Sequence, residues 1–351
     1  MADPIASNRD PGVDARGQLL ALVRGFRNSQ AVYVATKLGI PDLLVDGPRE
    51  TDDLARASGA HAPSLHRLLL ALAGVGVLDK VGPRCFALAP PGYALRSGVP
   101  GSIRASVLFQ LNESHWRSWG HLLHSVRTGE TAFDHVHGSG LFDYLAAHPD
   151  VSALFNAGMA GNSPDHARLI AQTYDFSRMN LVVDVAGGRG RLLSTVLAEH
   201  PQLSGILFDL PYVLADARPL VAEAGVAERC QFVGGNFFES VPAGGDAYIL
   251  RNIVHDWQDD QAAAILATCR RAMADGTRLL LVERAIADDP RAALSVLHAD
   301  LEMLVNVGGR ERTTDEYAAL LARSGLRLVR AISLGRSDAA MGHYIVEAEP
   351  I

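Results

Sequence analysis

Residues 184–190, Asp-Val-Ala-Gly-Gly-Arg-Gly, join a carboxylate to a glycine-rich turn at the end of an apolar run. Glycine lacks a Cβ and lets backbone approach a ligand closely, so the segment reads as a binding loop. Three nucleotide ligands compete for it. A phosphate-cradling loop needs Lys-Ser/Thr after its last glycine, and Arg191-Leu192 stands there instead. The dinucleotide fingerprint G-x-G-x-x-G is half present: Gly188 and Gly190 supply two glycines, and Leu193 occupies the third position. Asp184 would also lie close to a pyrophosphate and repel it. A carboxylate at that place accepts hydrogen bonds from an ammonium group or a bound water. The chemistry points to a ligand with an amino-acid end and no phosphate. S-adenosyl-L-methionine, which combines an α-amino acid, a sulfonium, a ribose and an adenine, fits.

Two further strand ends agree with that ligand. Asp209, followed by Leu210, closes the run 206–209, where an acidic residue can bind both ribose hydroxyls. Asn236-Phe237 closes the next run; the amide can pair with the adenine edge and the ring can pack on its face. Each residue has a plainer use, since a strand-end Asp caps turns and a Phe fills cores. Their order at the ends of successive strands favours binding. The segment "LRNIVHDWQDDQ" (250–261) is the most specific of all and presents His255. Its neighbours have plain readings: Asp256 as N-cap of a helix over 257–274 with Asp259 as capping partner, and Trp257 as packing beside the adenine pocket or in the core. Glu283, at the end of another apolar run, reads by itself as a solvated strand end.

That segment, with "VVDVAGGRG" (182–190) before it and "GGRERTTDEY" (308–317) after it, resembles the S-adenosyl-L-methionine-dependent small-molecule O-methyltransferases of the caffeate/hydroxyneurate-like group, whose bacterial members act on secondary metabolites. The resemblance runs from about residue 17 to the end. It implies an α/β fold: a Rossmann-like class I methyltransferase sheet with an N-terminal, mainly α-helical winged-helix dimerisation domain. It implies His255 as general base flanked by Glu283 and Glu311. Arg251 matches a basic residue near the cofactor, and Asp209 the ribose carboxylate. Asp184, Gly187, Gly188, Gly190, Leu210 and Phe237 fall on cofactor positions. Asn236 departs from the usual aspartate. Ala186 replaces a glycine, and its backbone can serve if φ is negative there. Met159 and Ser163 match a helix near the cofactor's methionine. Asn156, Asp300, Met303 and Asn306 are candidate substrate contacts. The implied partners are a small hydroxylated aromatic substrate and a second copy of the chain.

A base role for His255 is physically sound. A phenol titrates near 10 and a histidine near 6.5, so full proton transfer before attack costs about 5 kcal/mol. That fits within an ordinary barrier and shrinks if transfer accompanies attack. A carboxylate beside the imidazole, Glu283 or Glu311, would orient it and raise its basicity. A phenolic or enolic acceptor is therefore favoured over an aliphatic alcohol. The same fold also suits tailoring enzymes that use bound S-adenosyl-L-methionine for hydroxylation, decarboxylation or pericyclic chemistry.

The elements that must position these residues follow from periodicity. Strand-like runs at 181–187, 205–210, 230–236, 246–252, 278–285, 327–334 and 342–350 alternate with helical segments, which predicts a mostly parallel sheet covered on both faces. Upstream, helical 17–46, a short helix from 51 with Thr51 as N-cap, a helix over 62–78 and a hairpin over 76–90 turning at Gly82-Pro83 outline a winged helix. The expected divisions are a disordered tail 1–16, a dimerisation domain 17–100, a helical linker and substrate-pocket region 101–175, and a catalytic domain 176–351. His115, His121 and His124 in that helical region either line a pocket or form a polar helix face.

Composition excludes several classes. Among 351 residues the net charge is −7, which argues against a general affinity for nucleic acid. The helix at 62–78 is nearly all apolar where a DNA-reading helix needs exposed polar side chains. The three cysteines are widely spaced, and no His/Asp/Glu set has metal-ligand spacing, so no metal is expected. The polar N-terminus is no signal peptide, and the apolar stretch 68–78 is far too short for a membrane span, so a cytoplasmic protein is expected.

Overall fold

The computed structural model describes residues 15–161, 164–335 and 342–351. The chain divides into two units. The first holds the described residues up to Glu113 together with Asp150–Gly161; the second holds Ser114–Pro149 and the described residues beyond 163. The helical stretch expected over 101–175 is thus shared between them. All but the last two residues of the expected tail lie outside the described residues, and Ala15 already begins a helix.

In the first unit, helices Ala15–Lys37, Thr51–Ser58 and Ala62–Gly74 pack with a small antiparallel sheet. Its strands are β1 (Arg49–Glu50), β2 (Leu78–Lys80) and β3 (Cys85–Leu88), in the order β1-β3-β2. Leu65, Leu69 and Leu72 recur at helical spacing and are buried with Leu54, Leu78 and Phe86 in one core. The winged-helix outline and its hairpin are as expected. Thr51 is not the N-cap. Glu50 holds that position, and the buried Thr51 hydroxyl donates to the Arg84 carbonyl at 2.7 Å, tying the helix start to the hairpin.

The second unit is built on a seven-stranded sheet. Its strands are β4 (Leu181–Val185), β5 (Ser204–Asp209), β6 (Cys230–Gly234), β7 (Ala247–Arg251), β8 (Arg278–Arg284), β9 (Leu326–Ser333) and β10 (His343–Pro350). The order is β6-β5-β4-β7-β8-β10-β9, with β10 antiparallel to both neighbours and the other pairs parallel. All seven expected strands are present. The inner parallel strands are apolar over their middles because both faces are covered: Val182 and Ile249 join one core, Val183 and Leu250 the other. The strand order reverses between β4 and β7. The carboxyl ends of strands at such a switch point form a ligand crevice.

Candidate active site

The glycine loop leaves β4 at that crevice. Asp184 is 1% exposed, and its Oδ2 has no hydrogen-bond partner among the described residues. Burial pushes its pKa up to about 7, against the pull of the Arg251 guanidinium. A Cβ on Gly187 would come within 2.6 Å of the Asp184 carboxyl and 2.4 Å of Leu207, so only glycine fits. Ala186 has φ +56°, so the condition set for its backbone, a negative φ, is not met. The turn bends so tightly, with Ala186 N–H donating to Phe208 O at 2.8 Å, that an L-residue is held in the left-handed region.

Asp209 ends β5 and is tied into the same loop. Its Oδ2 accepts from Gly188 N–H at 2.8 Å and its Oδ1 from Leu210 N–H at 2.7 Å. Each oxygen keeps a lone pair for a further donor. Asn236 folds its amide onto its own turn: Oδ1 accepts from Phe238 N–H at 3.0 Å and Nδ2 donates to Glu239. Beside it, Phe237, Phe238 and Trp257 meet edge to face or tilted, with ring centres 4.9–6.0 Å apart. Phe238 was not anticipated, although two adjacent phenylalanines after a strand end were a readable signal.

Arg251 ends β7. Its Nη2 lies 3.1 Å from Nδ1 of His166, on helix Pro164–Thr173. The His166 ring is 4.4 Å from the ring of His343, whose Nε2 is 3.3 Å from Asn252 Oδ1. Neither histidine was singled out from sequence, since nothing local marks a histidine brought in from a distant helix.

His255 sits in a 3₁₀ turn, Val254–Asp256, just past β7. Its Nδ1 is 3.1 Å from Glu311 Oε1 and 3.7 Å from Glu283 Oε2. Both glutamates are fully buried, so the solvated strand end does not hold for Glu283. Glu283 Oε1 accepts from the N–H groups of Ile253 and Val254, at 2.9 and 2.8 Å, and so shapes the turn that carries the histidine. Glu311 Oε1 also accepts from Arg284 at 3.2 Å. Asp256 is no helix N-cap: the helix begins at Asp259 after Gln258, and Asp256 Oδ1 lies 3.4 Å from His255 Nε2. The 3₁₀ turn displaces the helix start and leaves Asp256 facing the imidazole.

Burial opposes charge on His255, but Glu283, Asp256 and Glu311 outweigh it and push the imidazole up to about 10. Glu311 is held below the usual carboxylate range despite burial, because His255 and Arg284 favour its anion. Burial instead raises Glu283, to about 7.

The segment 308–317 docks on this turn from the far side. Arg310 N–H donates to His255 O at 2.8 Å, and a Cβ on Gly309 would meet that oxygen at 1.9 Å. Arg312, 1% exposed, donates to the carbonyls of Val254 and Trp257 and to Asp259. Arg312 was missed from sequence; burial of an arginine that brackets the His255 turn is a tertiary fact.

The candidate substrate residues fare differently. Asp300 Oδ1 accepts from Glu311 N–H at 2.8 Å, which places it behind the glutamate. Asn306 is buried and donates to Glu302 Oε1 at 2.9 Å, and Glu302 Oε2 takes Trp119 Nε1–H at 2.8 Å. Met303 is half-buried on the same helix, Leu294–Asn306. Asn156 and Met159 are exposed on helix Pro149–Gly161 of the first unit, and Ser163 lies outside the described residues. His115 is buried against Phe133, whereas His124 is half-buried and stacks on His135. Among the described residues, no group of His, Cys, Asp or Glu is arranged to hold a metal ion.

Comparison with known proteins agrees with this architecture. The O-methyltransferase domain family matches residues 119–327, and the O-methyltransferase dimerisation domain family matches residues 20–95. The phenazine O-methyltransferase PhzM of Lysobacter antibioticus is 42% identical over 98% of this chain and 99% of its own. The mitomycin 7-O-methyltransferase MmcR superposes with a TM-score of 0.90 at 40% identity, over 96% of this chain and 98% of that one. NcsB1, an O-methyltransferase from neocarzinostatin biosynthesis solved with S-adenosylmethionine and 2-hydroxy-5-methyl naphthoic acid, has a TM-score of 0.81 at 33% identity, over 92% and 96% of the two chains. On the two family matches and on relatives alike over nearly the whole chain, the chain belongs to the O-methyltransferase family.

Proposed function

We propose that this O-methyltransferase transfers the methyl group of S-adenosyl-L-methionine to a phenolic or enolic hydroxyl of a small aromatic natural product, with His255 as general base. The observation that carries the reading is the clamp on Nδ1: Glu311 at 3.1 Å and Glu283 at 3.7 Å hold that nitrogen, so Nε2, approached by Asp256 Oδ1 at 3.4 Å, is the nitrogen left to meet a substrate. The crevice residues suit the cofactor. The buried Asp184 Oδ2, without a hydrogen-bond partner among the described residues, suits its ammonium group; Gly187 lets the loop close over Asp184 and Leu207, and Asp209 suits its ribose. When bound, the cofactor supplies an activated methyl group on a sulfonium, so the protein's part is alignment and proton removal.

His255 Nε2 takes the hydroxyl proton while Glu311 accepts from Nδ1–H and stabilises the imidazolium. An imidazole near 10 matches a phenol near 10, so the transfer that would cost about 5 kcal/mol with an ordinary histidine becomes nearly level. The test is incubation with the cofactor and a panel of hydroxylated aromatics, read by mass. A gain of one methylene located on oxygen is the expected product. His255→Ala should cut turnover by about 10²–10⁴-fold with cofactor affinity retained. A loss below tenfold would remove the base role, and a methyl group found on nitrogen or carbon would remove the acceptor assignment.

The working form is a homodimer. Leu19, Leu22, Val23 and Phe26 are each more than half exposed along helix Ala15–Lys37, at 3–4-residue spacing, inside the region matching the dimerisation family.

A further inference from the structure

Arg251 is held by a histidine, where a buried guanidinium more often meets a carboxylate. A guanidinium has five N–H donors and no acceptor, so the 3.1 Å contact requires His166 Nδ1 to be the acceptor. That fixes the tautomer with the proton on Nε2. His166 is 2% exposed, and its Nε2 has no hydrogen-bond partner among the described residues. Burial and the two guanidiniums of Arg251 and Arg284 push the ring down to about 4, so it is uncharged at neutral pH. A neutral acceptor orients the guanidinium without adding negative charge to it. A carboxylate at the same place would orient it equally well and add to the Asp184 and Glu283 carboxylates that already act on it. Asp184 is close enough to Arg251 that each shifts the other's titration.

We infer that His166 is a positioning residue for the cofactor: as a neutral hydrogen-bond acceptor it aims the Arg251 guanidinium at the α-carboxylate of the amino-acid arm while Asp184 takes the ammonium group. The pairing reads a zwitterion, one charge by each side chain. The neutrality of His166 adds no further anion to the positive half of that pair. This inference rests on the reading that the amino-acid arm lies between Asp184 and Arg251.

The experiment compares two ligands and three variants by calorimetry. S-adenosyl-L-homocysteine carries the amino-acid arm. 5′-Methylthioadenosine is the same adenosine thioether without it, and it reports folding and the nucleoside site alone. His166→Asn puts an uncharged acceptor oxygen where Nδ1 stands; His166→Asp puts a charged one of the same shape. The expected result is that the wild type prefers the homocysteine ligand, His166→Asn keeps that preference within about threefold, and His166→Asp loses about tenfold of it or more with methylthioadenosine binding unchanged. Equal preference in both variants, whether kept or lost together, overturns the role of neutrality. A wild type with no preference overturns the placement of the amino-acid arm itself, which is a different failure. If His166→Asp binds neither ligand, His166→Leu decides: it removes the acceptor without adding charge, and a preference equal to that of His166→Asn overturns the inference.

Discussion

The imidazole of His255 is surrounded by three carboxylates, and that surrounding sets its working range. With the histidine pushed up to about 10, the reactive pair of imidazole and acceptor must share a single proton. For a simple phenol, activity should rise with pH to about 10 and fall beyond it. For an acceptor that ionises near 7, the acid limb should move down to that value while the alkaline limb stays near 10. A pH–rate series over acceptors of graded acidity checks this, and an acid limb fixed near 6.5 for every acceptor would contradict it. The same shift has a stability sign. The folded value lies above the ordinary 6.5, so the ion pairing stabilises the fold fully below that pH, and the contribution fades as pH rises towards 10. If Asp209 holds the ribose as proposed, Asp209→Ala should weaken binding of S-adenosyl-L-homocysteine by about tenfold or more before it touches turnover at saturation, because it removes that carboxylate and frees Gly188 N–H. Unchanged affinity in calorimetry would take Asp209 off the ribose. His255, Glu283, Glu311 and Asp209 were all readable as residues. Their distances were not, and neither was the place of Asp256, whose cap-like context in sequence gives no hint of the intervening 3₁₀ turn.

At the scale of elements, the loop after β4 is the most constrained. Ala186 stands at φ +56°, which costs an L-residue about 1–2 kcal/mol. Ala186→Gly should relieve that strain and, after the added freedom of the unfolded chain, stabilise the protein by about 0.5–1 kcal/mol in denaturant melts. A destabilised variant would mean that the alanine methyl packs usefully. Gly187→Ala should do the reverse and cost about 1–3 kcal/mol, since its methyl would collide with Leu207 and the Asp184 carboxyl. The segment 308–317 is the second constrained element. It holds the His255 turn through Arg310 N–H and the Arg312 side chain, and it then enters a helix through a capping box between Thr313 and Glu316. Arg312→Ala strands the carbonyls of Val254, Trp257 and Arg310 and breaks the pair with Asp259, at a cost of about 3 kcal/mol, and it should lower turnover along with stability. Retained stability would show that the glycine contacts hold the turn unaided. The Thr-x-x-Glu pattern is a local signal present in the sequence; the grip of Arg312 on residues 53–58 positions away is not local at all.

For the whole molecule, the open question is assembly. The apolar stripe of helix Ala15–Lys37 is too exposed to suit a chain that works alone. Leu22→Asp combined with Phe26→Asp should turn a dimer into a 37.5 kDa monomer in sedimentation. Those side chains face solvent in the single chain, so the double variant should keep its fold by circular dichroism. An unchanged dimer would place the interface elsewhere. Among the described residues no helix is long and apolar enough to cross a membrane.

The sequence by itself determined the elements and the chemistry of their ends. Apolar runs of strand length separated by helical segments dictate a covered parallel sheet, because each run can be buried only if both its faces are packed. The residue at the carboxyl end of each run must then stand in one crevice, so Asp184, Asp209 and Asn236 could be nominated from one-dimensional order, and Arg251 and Glu283 from the family resemblance. Tertiary structure decided what those residues do to one another. Whether a carboxylate lies 3.1 or 3.7 Å from an imidazole, whether an alanine must adopt a positive φ, and whether a histidine from a distant helix reaches an arginine all depend on contacts between segments far apart in the chain. Burial acts in the same way. It leaves Glu311 charged and raises Glu283 although the two are the same residue type, because only the fold decides which of them meets Arg284.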